Sequence, residues 1–412
     1  MSVTDVPRSF PSPLPVPPIG HEPHVWHPDF DAYMSRSERR RETGDYYSAV
    51  PAVIAQYGFS LPEGISADLE EAAYELSRFD AYAAAKLGMD DHELSPMASI
   101  LLRTESTSSS QIENLTVGAR KLALQELGEG HGGNAQIVVG NVHAMRAALD
   151  FARNLDEPHL LAMHRALLSA QPGFAQYAGR YRDQLVWVGG GRGPRHATHV
   201  APQPELVAGC MDDLLAFLQR DDLPVILQCA VVHAQFETIH PFVDGNGRVG
   251  RALVHAVLRN KGLIRSTTPP VSAGLLTDTQ RYFAALGAYR EGDAEPIVAC
   301  FADACRYSAS TGVKLIDALE EQLAESRERL HGIRRDSAVW RVLPRLIEQP
   351  IINRDYLSKT LGLSPMTASR AIRVLTERGV LDEITGGRRN TVWEHRGILS
   401  VLDDYAARLR RD

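Results

Sequence analysis

Cysteine is scarce: Cys210, Cys229, Cys300 and Cys305 are four in a chain of 412, and none pairs with another at CxxC or zinc-ligand spacing. That excludes a disulfide scaffold and a structural zinc site, and it leaves reduced, mostly buried thiols as the expectation. Long apolar runs are missing as well. Nothing approaches the roughly 18 residues that span a bilayer, so no membrane partner is expected. The first residues bring prolines where a secretory leader would bring a basic and then an apolar stretch, which makes the cytoplasm the default compartment. There is no internal repeat, no GxxxxGK[ST] phosphate loop and no HExxH helix. What remains is ordinary soluble-domain composition, 44% hydrophobic and 23% charged, in a chain long enough for two or three domains of about 100–200 residues.

The formal charge of −7 is unevenly spread. Residues 333–412 hold 15 Arg and Lys against 10 Asp and Glu, so this segment is basic by 5 and the remainder acidic by 12. A basic module on an acidic body points to nucleic acid for the last segment alone.

Residues 1–30 read as a proline-rich strap. Pro11, Pro13, Pro15, Pro17, Pro18 and Pro23 cannot donate helix hydrogen bonds, so the segment runs extended. It is either laid over the body, anchored by Trp26, or a free tail. From about residue 66 the pattern turns helical, with Leu69, Ala72, Ala73, Leu76 and Phe79 at three- and four-residue steps. Residues 134–154, 157–169, 204–219 and 223–239 repeat it, so the expected fold is mainly α, with one helical body over 31–332. One interruption is strand-like. Leu185, Val186, Trp187 and Val188, a glycine turn over 189–193, then Thr198–Val200 spell a β-hairpin. A helix over 311–331 carries Ile316, Leu319, Leu323 and Leu330 in a stripe that serves either as a connecting helix on its own core or as a homodimer seam.

The densest chemistry lies in His240-Pro241-Phe242-Val243-Asp244-Gly245-Asn246-Gly247-Arg248-Val249-Gly250-Arg251. One apolar helix runs into it and another runs out. A Gly-Asn-Gly turn opening a helix turns backbone N–H groups inward, and the helix dipole favours an anion there. Arg248 and Arg251, three apart, share a helical face and can grip phosphate oxygens as planar forks. Asp244 is a hard oxygen ligand suited to Mg²⁺ held jointly by substrate phosphates. His240 has the unperturbed pKa of a general base. Base, metal ligand, anion cradle and two cationic clamps make a phosphoryl-transfer set.

Without a gap, this run matches the signature HxFx[DE]GNGRxxR, and over roughly residues 100–300 the chain resembles the Fic/DOC family. The resemblance implies a Fic-fold helical bundle with the β-hairpin as a flap. It places an N-terminal helical region at 31–130, a catalytic core at 131–310 and a connecting helix at 311–332. It also implies protein AMPylation: a Ser, Thr or Tyr hydroxyl of a protein target attacks the α-phosphate of ATP and pyrophosphate leaves. Carried over residue by residue, His240 is the general base, Phe242 anchors the loop, and Asp244 binds Mg²⁺. Gly245, Asn246 and Gly247 form the anion hole, Arg248 meets the β-phosphate region and Arg251 the γ-phosphate. Leu185, Val186, Trp187 and Val188 of the flap would align a target segment by strand addition.

Upstream, Ser109-Ser110-Gln111-Ile112-Glu113-Asn114 fits the family's inhibitory pattern [ST]xxxE[GN] within a helix expected at about 104–116. A carboxylate brought to Arg251 would take the arginine that should hold the γ-phosphate. Ser109, Glu113 and Asn114 are therefore read as an intramolecular brake.

The basic tail resembles a winged helix-turn-helix domain over 333–412. Asn353–Gly362 is a capped helix, Ser364-Pro365 opens a second one over 366–378, and strands over 380–385 and 390–394 flank a turn holding Arg388 and Arg389. In that reading Thr367, Ser369, Arg370 and Arg373 face DNA, Ala368, Ala371, Ile372 and Leu375 pack inward, and Arg388 and Arg389 touch phosphate. A winged helix used for protein contacts is the other reading.

Three alternatives compete with an autoinhibited adenylyltransferase. One keeps the fold but uses another nucleotide or removes AMP. A second is a DNA-binding regulator with a Fic-like sensing body. The third, a metal hydrolase on His233, Glu237 and His240, has HxxxExxH spacing where zinc proteases have HExxH.

Overall fold

The computed structural model describes residues 13–28, 35–87, 96–169, 171–190, 192–384 and 391–409. In chain order, Gly20–Trp26 (β1) pairs antiparallel with Gly44–Val50 (β2), Gly20 opposite Val50 and Trp26 opposite Gly44. Between them Ser35 and Glu38 close a reciprocal capping box at the head of Arg36–Glu42 (α1). The helices Glu63–Leu87 (α2), Pro96–Ile112 (α3), Ala119–Glu126 (α4), Asn134–Asp150 (α5) and Glu157–Leu168 (α6) follow. Asp156 caps α6 by accepting from the His159 amide, and Pro158 occupies its first turn. Trp187–Val188 (β3) and His199–Val200 (β4) form a two-residue antiparallel ladder. Next come Pro204–Leu218 (α7), Val225–Ile239 (α8), Asn246–Asn260 (α9), Val271–Thr277 (α10), Thr279–Arg290 (α11) and Glu295–Arg329 (α12). Val339–Val342 (α13), Arg345–Glu348 (α14), Ile351–Ile352 (β5), Arg354–Leu361 (α15), Pro365–Glu377 (α16), Asp382–Glu383 (β6), Trp393–Glu394 (β7) and Arg396–Arg408 (α17) complete the chain. No described helix is long and apolar enough to cross a membrane.

The fold is mainly α, as the helical periodicities imply, and it divides into two compact units. One comprises Met1–Ala73, Ala144–Leu263 and Asp278–Asp303; the other comprises Tyr74–His143, Ile264–Thr277 and Ala304–Asp412. The division cuts through α2, α5 and α12, so the units alternate along the chain instead of forming the single body expected over 31–332.

In the first unit the proline-rich segment is laid down from residue 13 onward. Leu14 is fully buried, its carbonyl accepts from the Ala294 amide, and the amides of Val16 and Ile19 donate to Gly292 and Arg290. Trp26 packs edge-on against Tyr46 and Trp187. Residues 1–12 and 29–30 of the expected strap lie outside the described residues. Helix α8 is apolar on nearly every face and correspondingly buried from Ile226 to Ile239. It packs on α9 closely because Gly250 has no side chain. A Cβ there would sit 3.0 Å from Phe236 Cδ1 and 3.2 Å from both Glu237 Oε1 and His233 Nδ1.

The second unit has its own core. Ile316, Leu319, Leu323 and Leu330 are all buried in it, together with Leu357, Ala368, Ala371, Ile372 and Leu375 of the tail. The stripe on α12 is thus used by its own chain, within a helix that starts at Glu295, well before 311. Asn353 caps α15 and Ser364 caps α16, each accepting from the amide three residues on, and Gly362 ends α15 at φ 62°. The strands pair in the order β5-β7-β6. Among the described residues of the expected wing strands, Asp382–Glu383 and Trp393–Glu394 form the ladder, and residues 385–390, with Arg388 and Arg389, lie outside the described residues.

Candidate active site

Helix α8 stops at a residue that breaks its own geometry. His240 takes φ 50° and ψ 60°, left-handed and rare for a residue with a Cβ, and Pro241 cannot continue the helix. The His240 amide still donates to Phe236 O at 2.8 Å. Its ring Nδ1 lies 3.3 Å from Glu237 O, an acceptor, so Nδ1 carries the hydrogen and Nε2 keeps its lone pair. Burial, with the positive charges of Arg290 and Arg182 adding to it, pushes the imidazole pKa down to about 4. The side chain is only 17% exposed. At neutral pH the ring is an uncharged proton acceptor.

The loop that follows is tied to itself. Asn246 Oδ1 accepts from the Phe242 amide and Asn246 Nδ2 donates to Phe242 O, both at 2.9 Å. Its side chain therefore staples the turn, and whatever Asn246 offers an anion comes from its backbone. Gly245, at φ 81°, supplies the left-handed residue that starts α9, and a Cβ there would meet Leu167 Cδ2 at 2.5 Å. The helix thus begins at Asn246, within the Gly-Asn-Gly turn itself. No side chain caps it, and the amides of its first turn have no intrahelical acceptor.

Around this turn Phe242 is fully buried. His164 lies against its face, with Tyr181 and Phe236 beyond. His164 Nε2 meets Asp244 O at 3.1 Å while its Nδ1 accepts from the Gly179 amide at 3.1 Å. Asp244 keeps its side chain about one-third exposed; Oδ2 accepts from Gln171 Nε2 at 2.7 Å and from Arg248 Nη2 at 3.3 Å. Arg248 and Arg251 are 2% and 3% exposed, their stems buried in α9. His240, Asp244, Gly245, Asn246, Gly247, Arg248 and Arg251 are thus gathered on one loop and one helix start.

Asp244 suits a divalent cation as a partly open carboxylate beside the cradle, one that would need substrate phosphates to complete a shell. Among the described residues no three His, Cys, Asp or Glu side chains converge as a metal set. His233, counted in the hydrolase alternative, has its Nε2 2.6 Å from Tyr282 OH and is otherwise enclosed.

The flap is shorter than its sequence. The ladder holds only Trp187 and Val188 against Val200 and His199, because Gly189 and Gly190 turn at φ 71° and 80° and Pro194–His196 forms a single 3₁₀ turn. Leu185 and Val186 lie outside it, although Val186 O accepts from the Ala201 amide. The carbonyls of Val186 and Val188 face β4, so the backbone of Leu185 and Trp187 faces the opposite edge.

Glu113 belongs to the second unit. Helix α3 ends at Ile112, with Glu113 half-buried in the turn beyond and Asn114 at φ 61°. Left-handed geometry is the physical reason the last position of the motif takes Gly or Asn. Ser109 is fully buried, and Asn141 Nδ2 holds Ser106 O at 2.8 Å and Ser110 Oγ at 3.1 Å. On α16, Thr367, Arg370 and Arg373 are exposed, Ser369 is half-buried, and Arg373 Nε lies 4.0 Å from Glu377.

The sequence reading missed His164, Gln171, Arg182 and Arg290. Arg290 reaches Glu237 O and Thr238 Oγ1 at 3.4 Å. None of the four carries a spacing signal; only the tertiary fold brings them to the loop or to the end of α8 before it.

Residues 154–258 match the model of the Fic/DOC family. The chain is 32% identical over 164 residues to Protein adenylyltransferase Fic of Nematostella vectensis, covering 39% of this chain and 33% of that one. It is 33% identical over 143 residues to Protein adenylyltransferase fic-1 of Caenorhabditis elegans, covering 34% and 25%. The matched segment thus spans a third or less of the length of these curated relatives. Among solved structures, a Fic family protein from Desulfovibrio desulfuricans G20 superposes with a TM-score of 0.52 at 23% identity, over 82% of this chain and 98% of that chain. That likeness establishes a shared fold.

Proposed function

We propose that this chain, which carries a Fic domain, is a protein adenylyltransferase that moves AMP from ATP to a hydroxyl side chain of a protein. The observation that carries the reading is the neutral His240, its Nε2 lone pair available, on the loop that ends in the uncapped start of α9. The target hydroxyl gives its proton to His240 Nε2 as its oxygen bonds to the α-phosphorus. The bond from that phosphorus to the bridging oxygen of the β-phosphate breaks, and pyrophosphate leaves. The amides of Asn246 and Gly247 face the charge that develops on the phosphate oxygens. Arg248 and Arg251 neutralise the leaving pyrophosphate. Asp244 would hold Mg²⁺, which would supply further positive charge to the substrate phosphates.

Glu113 acts in this reading as the intramolecular brake, presented at the end of a helix that Asn114 closes in left-handed geometry. Leu185 and Trp187 present the flap edge to the target backbone. The tail is a winged helix that binds DNA through Thr367, Ser369, Arg370 and Arg373. Thr367, Arg370 and Arg373 lie exposed on α16, and the positive charge of the two arginines suits phosphate.

The test is incubation with α-labelled or γ-labelled ATP and Mg²⁺, comparing the unmodified chain with Glu113→Gly and His240→Ala. Label retained from the α position only, lost in His240→Ala, is the expected outcome. Label from the γ position overturns it. For the tail, a mobility shift that weakens steeply with salt is expected; a salt-insensitive or absent shift removes DNA.

A further inference from the structure

We propose that Arg182 is a positioning residue that sets the register between the base His240 and the flap. The inference rests on the adenylyltransferase reading but adds a component that the motif does not contain.

Arg182 is 3% exposed, and its guanidinium is spent on neutral carbonyls from two parts of the first unit. Nε donates to His240 O at 2.8 Å, and Nη2 reaches Ile239 O at 3.4 Å. Nη1 donates to Gln184 O at 2.9 Å and Nη2 to Pro202 O at 2.7 Å. Gln184 enters the flap and Pro202 leaves it. The Arg182 amide adds a bond to Pro241 O at 3.0 Å. One side chain therefore holds both roots of the flap and the left-handed corner that aims the imidazole.

Burial lowers its pKa to about 10, so it remains a cation at neutral pH. A buried cation whose hydrogen-bond acceptors are backbone carbonyls is an expensive way to stabilise a fold. What it provides is geometry. The planar fork presents five N–H groups in fixed directions, and carbonyls on several sides need that arrangement. A lysine ammonium, with three donors on one atom, cannot span them. The His240 backbone has its N–H fixed by Phe236 O and its C=O fixed by Arg182, so the left-handed residue has no freedom to relax. None of the Arg182 hydrogen bonds reaches Gly245, Asn246, Gly247, Arg248 or Arg251. Arg182 should therefore govern where the base meets the target hydroxyl and leave the grip on triphosphate alone.

The experiment compares the full chain, with and without Glu113→Gly, carrying Arg182→Lys, Arg182→Gln or Arg182→Ala. Label transfer from α-labelled ATP to protein gives kcat and the KM for ATP. The expected result for Arg182→Lys is a fall in kcat of about 10- to 100-fold, the cost of a misplacement near 1 Å, with KM for ATP within about twofold. Free guanidinium at low millimolar concentration should raise kcat of Arg182→Ala and leave His240→Ala inert. Unchanged kcat in Arg182→Lys, or kcat and ATP affinity lost together, overturns the proposal. Kinetics are read from whichever of the Lys and Gln variants melts cooperatively; if neither does, Arg182 is a folding residue and the proposal fails. A parent chain that places no α-label on protein overturns the adenylyltransferase reading itself, before any Arg182 variant is compared.

Discussion

His164 lies flat on Phe242, ring centroids 3.7 Å apart and planes 10° from parallel. The same imidazole joins Asp244 O to the Gly179 amide, so it must be neutral, donating through Nε2 and accepting at Nδ1. Its pKa is pushed down to about 4 by burial. A helix outside the signature thus holds the loop by one stacked ring and one hydrogen bond, while the bond from the Gly179 amide fixes the ring itself.

His164→Ala should remove that support, leaving a cavity beside Phe242 and two backbone groups short of a partner. A loss of about 2–4 kcal/mol is expected from denaturant titration, with transfer falling more than the residual stability explains. A variant as stable and active as the parent would show the stacking to be incidental.

Gly250→Ala should strain the α8–α9 contact, since its Cβ would press on Phe236, Glu237 and His233 at 3.0–3.2 Å. The rings and the carboxylate have little room, so a loss of about 1–3 kcal/mol is expected. Thermal melting of the folded variant measures it, and an unchanged midpoint would mean the helices separate freely.

Asn114 separates geometry from chemistry at the proposed brake. Asn114→Gly keeps the left-handed turn and should leave self-labelling near that of the parent, whereas Asn114→Val should destabilise it by about 1–2 kcal/mol and raise labelling. Glu113→Gly should raise labelling without the stability loss. Equal α-label incorporation by the parent, Asn114→Val and Glu113→Gly would remove the brake.

Acid should unfold this protein early. Burial pushes His164, His240 and His395 down to about 4 and His199 and His233 to about 3. The unfolded chain takes up these protons near pH 6.5, while the folded chain refuses them until about 4 or below. Stability is therefore complete above pH 6.5 and falls as pH drops toward 4, at about 1.4 kcal/mol per pH unit for each proton. Melting temperature measured from pH 7.5 to 5 should decline continuously. Within the folded range, transfer should show no acid limb near 6.5, because His240 is already neutral there; a limb at that pH would contradict the buried base.

Much of the site is legible in twelve consecutive residues because its parts are local. A left-handed histidine, a Gly-Asn-Gly turn and two arginines one helical turn apart need only backbone geometry and helix periodicity to meet. The same locality makes α15 and α16 readable from Asn353, Gly362, Ser364 and Pro365, whose caps act within four residues. The flap reads less well. Four apolar β-prone residues suggest a strand, but Gly189, Gly190 and Pro194 leave a ladder of only two residues on each side.

The sequence by itself determined the mainly helical class and the local gathering of His240, the Gly-Asn-Gly turn, Arg248 and Arg251, because each follows from rules that act across a few residues. Only the tertiary structure decided that Asn246 spends its side chain on Phe242, that burial keeps the His240 ring uncharged at neutral pH, and that the α12 stripe is buried in its own unit. It alone brought His164, Gln171 and Arg182 to the loop from scattered helix and loop positions. The physical reason is the same in each case. Burial and long-range hydrogen bonds depend on which segments lie side by side, and no periodicity in the chain records that.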